Sequence, residues 1–257
     1  MCTILIARRA HPRFPLVLAA NRDEFHARPS APPGVLDAAH DVLGGKDLVG
    51  GGTWLGVAGR RFVTAVTNHR NHRPADASRA SRGALVMELL RGASVERASE
   101  VLGRSAPAAY NEANLLFGDS EDLRVAYLRD DAPPRVIEVP DGLSVLTNGE
   151  LTERDTFPKI DRLISLASPL PDDADALVDT LGHALADHAR PALEDLEAPP
   201  PGSIFTPEIL RELHAICVHT AGYGTVSSSI VLFDREGLAR WEHTEGSPCT
   251  SARARFV

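Results

Sequence analysis

The sequence predicts an α+β protein with antiparallel sheets whose outer faces are covered by pairs of helices. Short apolar segments separated by Gly, Pro and Asp recur along the chain, whereas apolar residues at helical spacing are confined to a few longer stretches. The strand-like segments come in runs and the helical stretches come in pairs. Because a parallel sheet needs a helix between successive strands, runs of this kind favour antiparallel pairing.

The N-terminal part of the chain contains two predicted hairpins. Residues 3–7 and 16–20 are apolar runs joined by a polar segment with two prolines. Residues 54–57 and 62–67 repeat the pattern around a turn that contains glycine. Residues 30–52, which are rich in Pro and Gly, are predicted to be a loop between the hairpins.

The rest of the chain alternates between helix pairs and strand runs. Residues 84–102 carry apolar positions at helical spacing, broken by Gly92, and are predicted to form two helices. An antiparallel meander, two more helices, a Pro-rich loop, a short helix and three strands follow. These segments are strands at 115–117, 123–128, 135–139 and 143–146, helices at 158–167 and 174–189, a loop at 189–203, a helix at 207–213, and strands at 216–219, 227–234 and 238–244.

Composition and charge restrict the class of protein. The 257 residues are 43% hydrophobic, enough for one large domain or two at most. With 27 Lys and Arg against 35 Asp and Glu, the net charge of −8 disfavours general binding to nucleic acid or to an anionic membrane surface. The first apolar run ends at two arginines and is too short for a signal peptide or a membrane span.

The three cysteines are too few and too scattered for a disulfide framework, and none stands in a paired metal-binding spacing. A reducing compartment fits this set best. We therefore predict a cytoplasmic protein without a membrane span, a metal site or another cofactor.

Cys2 is the first candidate for chemistry. Removal of Met1 would leave a cysteine with a free α-amine, whose pKa near 7.7–8.0 suits a base at working pH. One residue would then supply both nucleophile and base, as in N-terminal threonine enzymes. The alternative is that Cys2 is only a small residue at the start of a strand.

The first predicted hairpin places charged residues beside Cys2. If its strands pair about a centre near residue 11 or 12, the residues opposite Cys2 are Asn21 and Arg22. A guanidinium beside a thiol lowers the thiol pKa, and Asp23 is positioned to bind and orient the α-amine. The alternative is a solvated turn.

Two asparagines, Asn68 and Asn148, each end an apolar strand. An uncharged amide donor suits a developing oxyanion, so both are candidate catalytic residues in one cleft. The alternative is that each is a turn residue that tolerates left-handed backbone geometry, a role that Gly149 favours for Asn148.

The glycine-rich residues 44–54 do not form a phosphate-binding loop. No Ser or Thr follows Gly45-Lys46, and the stretch lacks the strand before it and the helix after it that such loops need. The glycines favour a tight turn beside a cleft. Trp54 is the candidate wall of that cleft, or else part of the core.

Residues 60–82 are locally basic, with six arginines and one acid. They either attract an anionic ligand, with Arg70 as the candidate contact, or form a solvated basic face. His69 and His72 lack nearby Cys, Asp or Glu partners, so a metal site there is not expected. His219, at the end of a predicted strand, is a candidate ligand contact, a cleft residue or a core residue.

The motifs together resemble one known family. Met1-Cys2-Thr3, Asn21-Arg22-Asp23-Glu24, the run at 50–56, Thr67-Asn68 and Tyr223-Gly224-Thr225 occur in the same order in the NRDE family, which is named for the tetrapeptide. The resemblance implies a single domain over residues 1–257 with the N-terminal nucleophile hydrolase fold, a four-layer αββα sandwich.

A looser similarity extends to the choloylglycine hydrolase and penicillin V acylase group of cysteine amidases. There an N-terminal cysteine works with an arginine, an aspartate and two asparagines. The similarity implies Cys2 as nucleophile, Arg22 and Asp23 as the charged pair, and Asn68 and Asn148 as the amide positions.

The sequence also departs from these patterns. The group's second arginine is not matched, and Val226 stands where many NRDE relatives carry arginine. Two functions follow from the resemblance. One is hydrolysis of a non-peptide amide in a small molecule; the other is non-catalytic binding or trafficking of haem or an acyl or lipid metabolite, with Arg70 and Arg73 receiving its acidic groups.

Overall fold

Two antiparallel sheets stack face to face, and a pair of helices covers the outer face of each. The structure, a computed structural model, describes residues 2–257. The predicted α+β class and the four-layer αββα order are confirmed. Residue Met1, whose removal the sequence analysis invokes, lies outside the described residues.

The first sheet, sheet A, contains both chain ends and the central strand of the site. Its six strands, in spatial order, are β10 (Gly142–Leu146), β1 (Cys2–Arg8), β2 (Leu16–Phe25), β11 (Tyr223–Asp234), β12 (Gly237–Glu245) and β13 (Arg253–Arg255). The pairings of β2 with β11 and of β1 with β10 bring distant parts of the sequence together in this sheet.

The second sheet, sheet B, has seven strands that follow one another in chain order. They are β3 (Ser30–Asp37), β4 (Val42–Asp47), β5 (Leu55–Ala58), β6 (Phe62–Asn68), β7 (Ala113–Gly118), β8 (Leu123–Leu128) and β9 (Arg135–Glu138).

Four of the five α-helices within residues 2–257 begin after a residue whose side chain caps them. Ser81, Ser94, Asp173 and Thr206 each accept a hydrogen bond from a backbone N–H in the first turn of the helix that follows. The five helices are α1 (Arg82–Gly92), α2 (Val95–Gly103), α3 (Lys159–Ala167), α4 (Ala174–Leu185) and α5 (Pro207–Leu213).

Three sequence-based assignments are wrong. Residues 30–52 are not a loop, because they contain β3 and β4; the prolines of β3 are tolerated at a sheet edge, where the register also shifts. The predicted meander ends at β9, since β10 crosses to sheet A and pairs with β1. Residues 216–219 form no strand and contribute only an isolated bridge at His219.

Three apolar layers hold the sandwich together. Alternate residues of β1 and β2, such as Ile4 and Leu18, meet sheet B in the central layer. The intervening residues pack against α3 and α4, and α1 and α2 pack against the outer face of sheet B. Within residues 2–257, none of the helices has the length and apolarity needed to cross a bilayer.

Candidate active site

Cys2 lies in a cleft between the ends of the two sheets. It pairs with Arg22 across the β1–β2 ladder, as the sequence predicts. On its other side, β1 pairs with β10 through Ile4 and Leu146, and the continuation of that register places Asn148 opposite Cys2. The cleft holds only about 10 Å³ of space accessible to water, and the residues that line it include Cys2, Arg22, Trp54 and three successive serines of β11, residues 227–229.

The thiol of Cys2 is shielded from solvent. Burial is the largest influence and raises its pKa above the ordinary value. The positive chain terminus, a backbone hydrogen bond from Asp23 and the guanidinium of Arg22 act in the opposite direction. The expected lowering by Arg22 is therefore present but is outweighed by burial, so this thiol needs a base to become a nucleophile.

Asp23 is a buried carboxyl at the same strand end. Its Oδ1 accepts a hydrogen bond of 2.6 Å from Thr225 Oγ1, and its backbone carbonyl accepts one from the Tyr223 hydroxyl at 2.9 Å. Burial raises its pKa, and the positive chain terminus and Lys159 oppose that rise. Asp23 is therefore held in place by these hydrogen bonds, near the charge of Lys159.

Lys159, the first residue of α3, is a member of the site that the sequence did not indicate. Its side chain is only 3% exposed, and Nζ donates to the carbonyls of Leu213 at 3.1 Å and Ala215 at 3.3 Å. Burial lowers the pKa of Lys159 to about 8, and the charges of Asp23 and Cys2 counteract this. A lysine at the start of a helix gives no sequence signal that distinguishes it from a solvated one.

Because Lys159 is buried, we expect the free energy of unfolding to depend on pH in a way that the Lys159→Met variant lacks. Because its pKa falls from 10.5 to about 8 on folding, the unfolded chain binds more protons between these values, and the free energy of unfolding rises with pH across that window. Relative to Lys159→Met, the wild type should gain about 2 kcal/mol between about pH 7 and about pH 10, measured by urea unfolding.

Lys46→Met is the matched control for this experiment, because Lys46 is exposed. Its unfolding free energy should follow the wild type at both pH values. If the unfolding free energies of wild type and Lys159→Met changed equally with pH, burial would not lower the pKa of Lys159.

Arginines supply further positive charge around the thiol. The guanidinium of Arg22 lies 4.5 Å from the centre of the Trp54 ring, so this ring fixes Arg22 in the cleft wall. Arg82, the first residue of α1, interacts electrostatically with Cys2, although burial lowers the Arg82 pKa. A Cβ on Gly52 would lie 2.2 Å from the Gly83 carbonyl carbon, so only glycine lets this helix start approach the strand.

The two asparagines contact each other at the end of β6 and just after β10, outside the residues that line the Cys2 cleft. Asn148 is fully buried, and its Nδ2 donates to the Asn68 backbone carbonyl at 2.6 Å. The Asn148 carbonyl accepts from the Arg70 backbone N–H at 2.8 Å and contacts His69 Nδ1 at 2.9 Å. The segment after β10 is therefore bound to the end of β6, which joins the two sheets here.

Arg70 carries a buried guanidinium next to this segment. Within residues 2–257 its Nε and Nη2 atoms make no hydrogen bond, and the group stacks 4.6 Å from the centre of the Phe157 ring. Burial lowers the Arg70 pKa to about 10. An anionic group bound here would satisfy donors that the protein leaves unpaired.

The basic window of residues 60–82 does not form one patch. Arg60 and Arg61 donate to carbonyls near β12, at Leu238 and Arg235. Arg79 binds Asp130, whereas Arg73 is exposed. Within this window, Arg70 interacts electrostatically with Lys159, and Arg82 interacts electrostatically with Cys2.

His219 lies outside the cleft lining that contains Cys2. Its Nε2 contacts the sulfurs of Cys217 and Cys249 instead, and His188 completes this second cluster. The structure thus brings Cys2, Arg22, Asp23 and Trp54 together, joins Asn68 to Asn148 nearby, and separates His219 from them.

Comparison with known proteins identifies relatives over nearly the whole chain. The sequence model of the family described as Transport and Golgi organisation 2 matches residues 1–245. The Transport and Golgi organization 2 homolog of Mus musculus is 30% identical over 255 residues, covering 92% of this chain and 90% of that protein. The Homo sapiens homolog matches to the same extent.

Solved structures share the fold at low sequence identity. An N-acylethanolamine-hydrolyzing acid amidase ortholog from Caenorhabditis elegans superposes with a TM-score of 0.54 at 10% identity, covering 90% of this chain and 92% of that one. The C2A mutant of the conjugated bile acid hydrolase from Clostridium perfringens gives 0.51 at 12% identity, covering 100% and 97%. Penicillin V acylase from Agrobacterium tumefaciens gives 0.51 at 12%, covering 95% and 83%. The architecture is that of the N-terminal nucleophile hydrolases.

Proposed function

Because the chain belongs to the Transport and Golgi organisation 2 family, also called NRDE, and has an N-terminal nucleophile hydrolase fold, we propose that it is a cysteine amidohydrolase. Its substrate is a small molecule with a non-peptide amide bond. The names of the solved neighbours refer to hydrolysis or acylase activity, whereas those of the sequence relatives specify no reaction.

The main support for the proposal is the set of groups around Cys2. Cys2, a half-buried residue at the start of β1, pairs with Arg22, and its shielded thiol receives a backbone hydrogen bond from Asp23. A strand that only needed a small first residue would not require a buried carboxylate and a buried ammonium beside it. Burial of such groups is costly, and functional sites are where that cost is commonly retained.

In the proposed reaction the mature chain begins at Cys2. The neutral α-amine removes the thiol proton, and Sγ attacks the amide carbonyl to form a tetrahedral intermediate. The proton passes to the leaving nitrogen as the C–N bond breaks, which leaves a thioester on Cys2. Water, deprotonated by the same amine, then hydrolyses the thioester and releases the acid.

Asp23 and Lys159 support the amine rather than the substrate. The carboxylate of Asp23 orients the amine and stabilises its protonated form. Thr225 fixes that carboxylate, and the charge of Lys159 favours its ionised state. These are positioning roles, comparable with the buried aspartate of a catalytic triad.

The asparagines supply donors for the oxyanion. Asn148 uses one N–H of its side chain on the Asn68 carbonyl, so a second N–H remains, and the half-buried Asn68 offers its own amide. Donors held by such a network need no reorganisation when the negative charge develops.

Arg70 favours a substrate with an acidic group. Its unpaired, buried guanidinium lies within electrostatic range of Lys159, which also interacts with Cys2 and Asp23. Arg70 can therefore bind a carboxylate or phosphate on the substrate. Arg82 supplies a second guanidinium near the thiol.

Asp23→Asn tests the proposal with two measurements. On a panel of neutral and acidic N-acyl amides, turnover should fall about 10²- to 10⁴-fold, because an amide cannot stabilise the protonated amine. The melting temperature, measured in parallel, separates lost chemistry from lost structure, because the Thr225 hydroxyl can donate to an asparagine Oδ1 as it does to Asp23 Oδ1.

Asp155→Asn, at an exposed position, is the matched control and should leave both quantities unchanged. Full turnover in Asp23→Asn would contradict the proposed role of the carboxylate. Saturable binding of the amides by the wild-type protein without hydrolysis would favour a binding protein instead.

A further inference from the structure

A second cluster of reactive side chains lies on the surface of the molecule, away from the lining of the Cys2 cleft. His188 follows α4, Cys217 and His219 lie between α5 and β11, and Cys249 follows β12. The candidate ligand atoms of these four residues all lie within 4.8 Å of one another. Neither cysteine is in a disulfide.

We propose that His188, Cys217, His219 and Cys249 form a tetrahedral binding site for one structural Zn²⁺ ion. This inference concerns a different site from the proposed hydrolase chemistry and stands without it. Two thiolates and two imidazoles are a ligand set that zinc binds in four-coordinate structural sites.

The three distances among Cys217, His219 and Cys249 agree with three edges of a tetrahedron around zinc. With Zn–S near 2.3 Å and Zn–N near 2.0–2.1 Å, the sulfurs should lie about 3.8 Å apart and each sulfur about 3.5 Å from each nitrogen. The two Sγ atoms are 3.8 Å apart. His219 Nε2 lies 3.5 Å from Cys217 Sγ and 3.3 Å from Cys249 Sγ.

The orientation of His188 also suits a metal ligand. Its Nδ1 contacts the Cys217 carbonyl at 3.3 Å, an arrangement in which Nδ1 carries the proton and donates it. The lone pair of Nε2 is then available to the ion. Ligating histidines commonly donate their other ring N–H to a carbonyl in this way.

The ion would brace the segment that holds Asp23. Val218, between two of the ligands, donates its backbone N–H to Thr225 Oγ1 at 2.9 Å, and the Thr225 hydroxyl donates to Asp23 Oδ1. Cys217 is further tied to the chain next to His188, because its N–H donates to the Asp187 carbonyl at 2.9 Å. Zinc binding therefore links three separate chain segments beside that carboxylate.

The sequence did not indicate this site because its ligands are scattered. Only Cys217 and His219 are close in sequence, and a single Cys-x-His pair is not a zinc motif. His188 and Cys249 lie about thirty residues to either side. The two cysteines and two histidines come together only when the chain folds, so the sequence carries no local motif for the site.

Metal content and cobalt spectroscopy test the proposal. Protein purified under reducing conditions should contain about one zinc per chain by mass spectrometry of the elements. Apo-protein titrated with Co²⁺ should develop the absorption of tetrahedral cobalt and its thiolate charge-transfer band. Cys249→Ser and His188→Gln should weaken Co²⁺ binding by more than about 100-fold, since even indirect partners of a metal contribute 10- to 100-fold.

Two controls and a stability readout make the result decisive. Cys2→Ser removes a thiol outside the cluster and His183→Gln an exposed histidine of α4, so both should keep full metal binding. A chelator should lower the melting temperature of the wild type but not that of Cys249→Ser. Less than about 0.1 zinc per chain in fully reduced, folded protein, or a cobalt spectrum unchanged by Cys249→Ser, would overturn the proposal.

Discussion

Cys2→Ala should reduce hydrolysis of N-acyl amides by at least about 10³-fold, because it removes the thiol that forms the acyl intermediate in the proposed reaction. Arg22, the other cleft residue bound to Cys2 through the β-ladder, cannot act as a nucleophile. Steady-state turnover and the burst of acyl-enzyme formation measure the effect. Both should disappear together.

The fold should survive this substitution. Cys2 is only half-buried at the end of β1, so replacing its sulfur leaves the central apolar layer unchanged. Equal melting temperatures of variant and wild type would establish that lost activity is not lost structure. A variant that retained substantial turnover would exclude Cys2 as the nucleophile.

A single extra residue before Cys2 should abolish turnover as completely as Cys2→Ala does. Extension converts the α-amine of Cys2 into an amide, which has no basic lone pair and cannot accept the thiol proton. The loss should be large because burial raises the pKa of this thiol, so little thiolate forms without a base.

The matched comparison uses two proteins that differ by one residue. Both carry a cleavable N-terminal peptide; cleavage leaves Cys2 first in one protein and alanine followed by Cys2 in the other. Before cleavage neither should turn over substrate, and afterwards only the first should. Equal activity of the two cleaved proteins would contradict the role of the amine.

The pairing of Cys2 with Arg22 could be predicted because it depends on local rules. Two short apolar runs around a polar turn fix an antiparallel register, and register alone places Arg22 opposite Cys2. The helix pairs could be predicted for the same reason, since caps and apolar periodicity act within a few residues.

Contacts between distant segments could not be predicted in the same way. Lys159 reaches the site because α3 packs on the outer face of sheet A, and its burial depends on carbonyls of residues 213 and 215. The pairing of β10 with β1, rather than with the preceding strand β9, likewise depends on the tertiary fold. Neither leaves a pattern in the sequence around it.

The arginines illustrate the same limit. A window of six appears as one basic surface in the sequence, but the folded chain separates them among carbonyls, carboxylates and an aromatic ring. The electrostatic roles that we propose therefore belong to Arg70 and Arg82 individually, and they do not follow from the net charge of their segment.

The most direct test is the intact mass of the expressed protein before and after reaction with a thiol-directed acylating probe. We expect a mass lacking Met1 and a single added acyl group, located on Cys2 by peptide mapping and absent from the Cys2→Ala variant. Retained Met1, or an adduct carried only by Cys217 or Cys249, would contradict it.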